Sequence, residues 1–131
     1  MKFKISWCDW SENLPGGGRE IIIGWVDIIS RLESFREGKG SMSLELLNGP
    51  DPGPIRVSVI AESKCYLVTV LEAADDDTYV RCYFNPLSIA ERVEVLGDYW
   101  DARMLTSDFD MVCNVFKAFF ESGDVSRELL N

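Results

Sequence analysis

Hydrophobic and polar positions alternate along residues 2–7, with Phe3, Ile5 and Trp7 set against Lys4 and Ser6. A period of two is the mark of a strand with one face buried, and it predicts that the chain opens with one. Residues 11–18 are polar and end in Pro15, Gly16, Gly17 and Gly18, a loop by turn chemistry. Over residues 19–35 the period changes. Ile22, Trp25, Val26, Ile29 and Leu32 fall at helical spacing, with Asp27, Arg31 and Glu33 on the other side, which predicts a helix. The β-branched run Ile21, Ile22 and Ile23 and the interior Gly24 weigh against it, leaving a strand over residues 19–26 as the alternative.

Residues 41–47 read as a strand that ends in seven turn formers, 48–54. Ile55, Val57 and Val59 alternate with Arg56 and Ser58. A turn at 61–64 then leads to the β-rich segment 65–71, so the pair reads as a hairpin. A second turn at 72–77 precedes another alternating run, 78–84, which Asn85 and Pro86 stop. Weaker strands are expected at 91–96 and 102–106, with 97–101 connecting them. The strongest pattern is 108–122, where Phe109, Val112, Cys113, Phe116, Phe119 and Phe120 share one helical face. Ser107 with Asp110 resembles a capping box there, and Gly123 is a fitting stop. Together these predict a single α+β domain over 1–131. An antiparallel sheet of about five to six strands is packed by a helix in the N-terminal half and by a C-terminal amphipathic helix.

Composition agrees with one folded core: 131 residues, 47% hydrophobic and 27% charged. Charge adds something new. With 13 Lys and Arg against 22 Asp and Glu the net charge is −9, and a field of that sign repels phosphate backbones and anionic lipid. Direct binding to nucleic acid or membrane is therefore not expected, and a basic protein is the better partner, although acidity for solubility alone accounts for the charge equally well. No run approaches a membrane span of ~18 apolar residues. Residues 1–10 lack the apolar run of a signal peptide, so a cytoplasmic location is expected. Cys8, Cys65, Cys82 and Cys113 are too widely and irregularly spaced for a zinc ribbon or redox pair and are read as buried free thiols.

Histidine is absent from the chain, which removes the commonest general base, the usual triads and most metal sites. The three consecutive glycines have neither the spacing nor the lysine of a phosphate-binding loop. No cofactor is expected. Carboxylates are the plentiful chemical groups. Asp75, Asp76 and Asp77 fall at a hairpin tip, where a solvated turn is the plainer reading than cation binding. Asp98 and Asp101 flank Tyr99 and Trp100, near Arg103. A carboxylate pair beside aromatics would suit a glycosidase, and it equally suits a protein interface, where Trp, Tyr and Arg concentrate. Asp108 and Asp110 explain themselves as first-turn residues complementing the helix dipole.

Three stretches carry a resemblance. They are residues 25–32 followed by Gly38, Lys39, Gly40 and Ser41; then Gly97, Asp98, Tyr99, Trp100 and Asp101; and above all 116–126, an aromatic helix ending in Phe119 and Phe120 with Gly123 and a short coda. In these the chain resembles the small immunity proteins encoded beside bacterial polymorphic toxins, including those of contact-dependent inhibition. The resemblance implies a non-catalytic, cytosolic bacterial protein that blocks a cognate toxin domain, often a basic nuclease, with an acidic surface. Asp75, Asp76, Asp77, Asp98, Tyr99, Trp100 and Asp101 are the expected partner-binding residues. A structural or regulatory subunit, and a small carboxylate-dependent hydrolase, are the alternatives. Oligomeric state is left open.

Overall fold

A computed structural model describes residues 1–10, 16–22, 24–50 and 52–130. The elements run β1 (Lys2–Asp9), β2 (Gly16–Ile22), α1 (Trp25–Glu33), β3 (Gly40–Leu47), β4 (Gly53–Glu62), β5 (Cys65–Ala74), β6 (Asp77–Cys82), β7 (Arg92–Val95), β8 (Asp98–Asp101), a 3-10 turn (Ala102–Met104) and α2 (Phe109–Ser122). Six strands form one antiparallel sheet in the order β2-β1-β3-β4-β5-β6, and β7 and β8 form a separate two-stranded ribbon. This is the expected α+β architecture, with one helix in the N-terminal half and one at the C-terminal end.

Strand alternation sorts the sheet into two faces. Phe3, Ile5, Leu44, Val57, Val59, Val68 and Val70 turn to the helices and join Ile28 and Leu32 of α1 and Val112, Phe116 and Phe119 of α2 in one buried cluster. Phe3 meets Phe119 edge-on at 5.5 Å and Phe120 at 5.2 Å, an arrangement that adds to the area these rings bury. The N-cap of α2 is Asp108, whose Oδ1 accepts from the Met111 N–H at 3.2 Å, and not the expected Ser107. Gly123 closes the helix with φ 73°, in the left-handed region where a Cβ is costly.

Several boundaries depart from expectation. The helix predicted over 19–35 is shorter, because Gly16–Ile22 is an edge strand paired with β1 from Phe3↔Ile22 to Asp9↔Gly16. The glycines expected in a loop open that strand. A Cβ at Gly18 would stand 2.7 Å from the Trp7 ring, so glycine permits the close approach. Residues 11–15 of the expected loop, and Ile23, lie outside the described residues. The predicted turns at 61–64 and 72–77 shrink to two residues each. Ser63 and Lys64, and Asp75 and Asp76, all have φ between 51° and 65°, the backbone of tight hairpin turns whose twist matches that of the flanking strands. Residues 97–101, expected to connect two strands, supply β8 instead. The strand expected at 102–106 is the 3-10 turn followed by a single bridge from Thr106 to Tyr66.

The last residues are fastened by a charge. Arg81 of β6 is 3% exposed; its guanidinium donates to the carbonyls of Val125 (3.1 Å) and Leu130 (3.2 Å). Its Nε lies 3.2 Å from Glu72 Oε2 outside hydrogen-bonding geometry, so that contact is ionic and not a directed bond. No helix of the described residues is long and apolar enough to cross a membrane.

Candidate functional site

The helices cover one face of the sheet. The ribbon of β7 and β8 lies toward the end where β4 turns into β5, tied by the Leu96 N–H donating to Glu62 Oε1 at 3.0 Å. That bond, and then Lys39 at 3.1 Å, hold the Glu62 carboxyl below its ordinary pKa. Leu67, which alternation turns away from the helices, is nevertheless buried, as is Val95 of β7. The ribbon thus forms a third layer over part of the outer face.

Beside the ribbon the chain closes a loop on itself. The Asn85 N–H donates to the Arg103 carbonyl and the Ala102 N–H to the Glu91 carbonyl, each at 2.8 Å. Residues 84–91 are thereby held against β8 and the 3-10 turn. Between them opens a cleft of about 380 Å³ lined by Ala90, Glu91, Arg92, Tyr99, Trp100, Asp101 and Arg103. Phe84, Leu87, Ile89 and Tyr99 are all exposed, Leu87 at 92%. Among the described residues, four of the ten exposed large apolar side chains lie on this loop and β8.

Electrostatics inside the cleft are locally balanced. Asp101 takes a forked pair from Arg103, with Nη2 to Oδ2 at 2.7 Å and Nε to Oδ1 at 3.1 Å, and also accepts the Arg103 backbone N–H at 3.0 Å. The Arg103 side chain is the main reason the Asp101 carboxyl falls to a pKa of about 2, with the backbone bond second. Arg103 also rests 5.3 Å from the centre of the Phe84 ring. Among the described residues, Glu91, Glu94 and Asp98 have no cation at ion-pair distance. Trp100 Nε1 is buried without a hydrogen-bond acceptor.

Of the expected binding residues, Asp98, Tyr99, Trp100 and Asp101 come together on β8, with Tyr99, Trp100 and Asp101 lining the cleft. Asp75, Asp76 and Asp77 do not join them. They sit at the far end of the ten-residue β5, about 30 Å from its start beside the ribbon. Their left-handed turn backbone explains two of the three, since aspartate tolerates it better than most residues. Phe84, Leu87 and Ile89 were missed as site residues. The available signal was apolar side chains without either period, set among Asn85, Pro86 and Ser88.

A second cleft of about 390 Å³ lies between the N-terminus of α2 and the β4–β5 turn. Arg36 there binds Glu33 at 2.9 Å and stacks 4.4 Å from the Phe109 ring centre, Lys64 meets Glu37 at 3.1 Å, and Asp108 and Asp110 line the cleft without an ion pair among the described residues. The four cysteines are unbonded. Cys8 is exposed, contrary to expectation, and the other three are half-buried. Burial raises the Cys113 thiol to about 11 and also pushes Cys65 and Cys82 up, away from nucleophilic thiolate.

Residues 15–129 match a protein family described as a family of unknown function, DUF6911, and the chain belongs to it. The crystal structure of a hypothetical protein from Neisseria gonorrhoeae has a similar fold, with a TM-score of 0.76 at 13% sequence identity, over 96% of this chain and 92% of that one. At that identity the likeness speaks for the fold alone. No curated protein matches the chain.

Proposed function

We propose that this chain is a non-catalytic protein-binding domain, and that it serves as an immunity protein which docks on a basic toxin domain through β8 and the 84–91 loop. The observation that carries the reading is the exposure of Phe84, Leu87 and Ile89 on the loop held against β8, whose exposed Tyr99 lines the cleft with Glu91, near Glu94 and Asp98. Exposed apolar area rimmed by charge is typical of a surface that is covered in a complex. Aromatic anchors give affinity there, while rim carboxylates select a cationic partner.

A carboxylate-pair hydrolase needs a protonated general acid beside an ionised carboxylate, and Asp101, forked by Arg103, could fill only the ionised role. The test is binding, in purified form, to the product of the gene immediately upstream. Wild type should bind at nanomolar to micromolar concentration, and Tyr99→Ala with Leu87→Asp should lose about 2 kcal/mol or more, as truncated anchors do. A neighbouring product that is not bound removes the immunity reading and leaves the structural-subunit alternative. Unchanged affinity in the double variant keeps the function and discards this surface.

A further inference from the structure

The sheet has two free edges, β2 and β6. β2 opens with glycines and carries Arg19 and Glu20, both exposed. Devices of that kind deter a foreign strand. β6 has fewer of them, an exposed charge only at Asp77 where it begins and an inward one at Arg81. Between Asp77 and Cys82 there is no proline, glycine or lysine, and its pairing with β5 runs without a bulge. Its one arginine, Arg81, is turned inward and spent on the C-terminal carbonyls. Val80 is 60% exposed and Tyr79 44%.

Which backbone groups face outward follows from the turn. Asp75 and Asp76 both have left-handed φ, so Ala74 and Asp77 close the hairpin as a hydrogen-bonded pair. Bonding then alternates: Asp77, Tyr79 and Arg81 bond to β5, while Thr78, Val80 and Cys82 direct N–H and C=O away from it; the Thr78 N–H is taken by Asp77 Oδ1 at 2.8 Å, so Val80 and Cys82 carry the outward donors of the edge. The preceding hairpin supports the phase. Ser63 and Lys64 form the same kind of turn, which directs the Tyr66 backbone away from β4, and Tyr66 there exchanges two bonds with Thr106. Thr106 therefore completes the edge at one end of β5, and β6 leaves it open for the rest.

We infer that the β6 edge is a second docking element, which takes an extended, lysine- or arginine-bearing segment of the basic partner as a seventh strand. This rests on the protein-binding reading above. Charge complementarity identifies the occupant: among the described residues no cation pairs with Asp75, Asp76 or Asp77, which stand exposed where the edge begins. Two of them satisfy the turn, but three consecutive carboxylates exceed what it requires. The edge leads from this acidic tip through Tyr79 and Val80 toward Phe84 and the cleft. It thus links the two groups of expected binding residues that the fold sets apart. Main-chain bonds would supply affinity and the alternate side chains specificity, as in other strand additions.

The test uses a capped octapeptide of alternating lysine and valine, its glutamate–valine counterpart, and the upstream gene product, with amide exchange followed by NMR. The lysine peptide and the upstream product should each slow exchange at Val80 and Cys82 and leave Tyr79 and Arg81 as they were. The glutamate peptide should do neither. Val80→Pro removes an outward N–H without touching the β5 ladder and should weaken binding by about tenfold or more. Val80→Lys, at an exposed position, checks the same edge by repulsion if the proline variant melts early. No protection by the lysine peptide, or equal protection by both peptides, overturns the inference. So does a self-associated chain that Val80→Pro dissociates, which would give the edge to a second copy. An upstream product that binds while these two amides stay unprotected removes the edge and leaves the proposed function. Protection by the lysine peptide with no binding of the upstream product does the reverse.

Discussion

A carboxylate contributes to a surface field only to the extent that nothing beside it offsets its charge. Asp98 and Asp101 look equivalent on either side of Tyr99 and Trp100, yet Arg103 forks onto Asp101 and leaves Asp98 free. The pair has a pH signature. A carboxyl whose pKa is lowered by folding stabilises the fold fully above its unfolded value near ~4 and loses that contribution as pH falls through the folded one. For Asp101 the window therefore runs from ~4 down to about 2. An NMR titration of its carboxyl carbon should show a midpoint near that lower value. In Arg103→Met the midpoint should climb back toward ~4. A titration near ~4 in the wild type would mean that the fork does not persist in solution. Composition located these residues in the sequence, but not which carboxylate was already engaged, because Arg103 is two residues away and only the 3-10 turn brings its guanidinium back.

At the scale of elements, legibility followed how much of each pattern was set by burial. α2 was readable because its aromatic stripe is what the core selects: Val112, Phe116 and Phe119 are fully buried. Truncating Phe116 to alanine should cost about 3–5 kcal/mol in urea or thermal unfolding, and a variant that unfolds like wild type would mean the ring does not pack there. β2 was readable only as the alternative strand over 19–26, since an exposed edge strand keeps little alternation and its isoleucines ran in phase with the true helix that follows. β8 was hidden in the same way; a four-residue strand of Asp98, Tyr99, Trp100 and Asp101 has the composition of a turn. The fastening of the C-terminal residues left no periodic trace, because Arg81 is polar in an apolar context and its acceptors are backbone. Replacing it with methionine keeps the volume but strands two carbonyls and Glu72. The expected loss is about 3 kcal/mol, the low end for a broken buried pair because Arg127 also reaches Glu72 at 3.5 Å. Faster amide exchange at Leu129 and Leu130 should accompany it, since both now bond to the Ser126 carbonyl. Unchanged exchange there would show that Val125 and Leu130, which are buried, hold the segment without the arginine.

For the molecule as a whole, the net charge of −9 was legible from the first count, but its distribution was not. Folding places unpaired carboxylates at the Asp75–Asp77 tip and beside the cleft, at opposite ends of β5; in the second cleft Glu37 is paired with Lys64, while Asp108 and Asp110 are in no ion pair among the described residues. A basic partner would therefore meet two separated acidic regions with an apolar edge between them, a layout that favours orienting the encounter over tightening the final complex. Raising salt from about 50 to 500 mM should then slow association with the upstream gene product by about tenfold or more and change dissociation little, because exposed charges act before contact and are screened first. Substitutions should separate the carboxylates by their surroundings. Asp98→Lys and Asp76→Lys should each slow association, since both carboxylates are unpaired, and Asp101→Asn should slow it less, since Arg103 already offsets that charge. Asp76→Lys alone also disturbs a left-handed turn position, so Asp76→Asn, which tolerates that backbone, serves as its companion. Stopped-flow association rates across the salt series would decide it. If rates are insensitive to salt and to all of these substitutions while binding stays tight, the acidity serves solubility and recognition rests on the apolar surface alone.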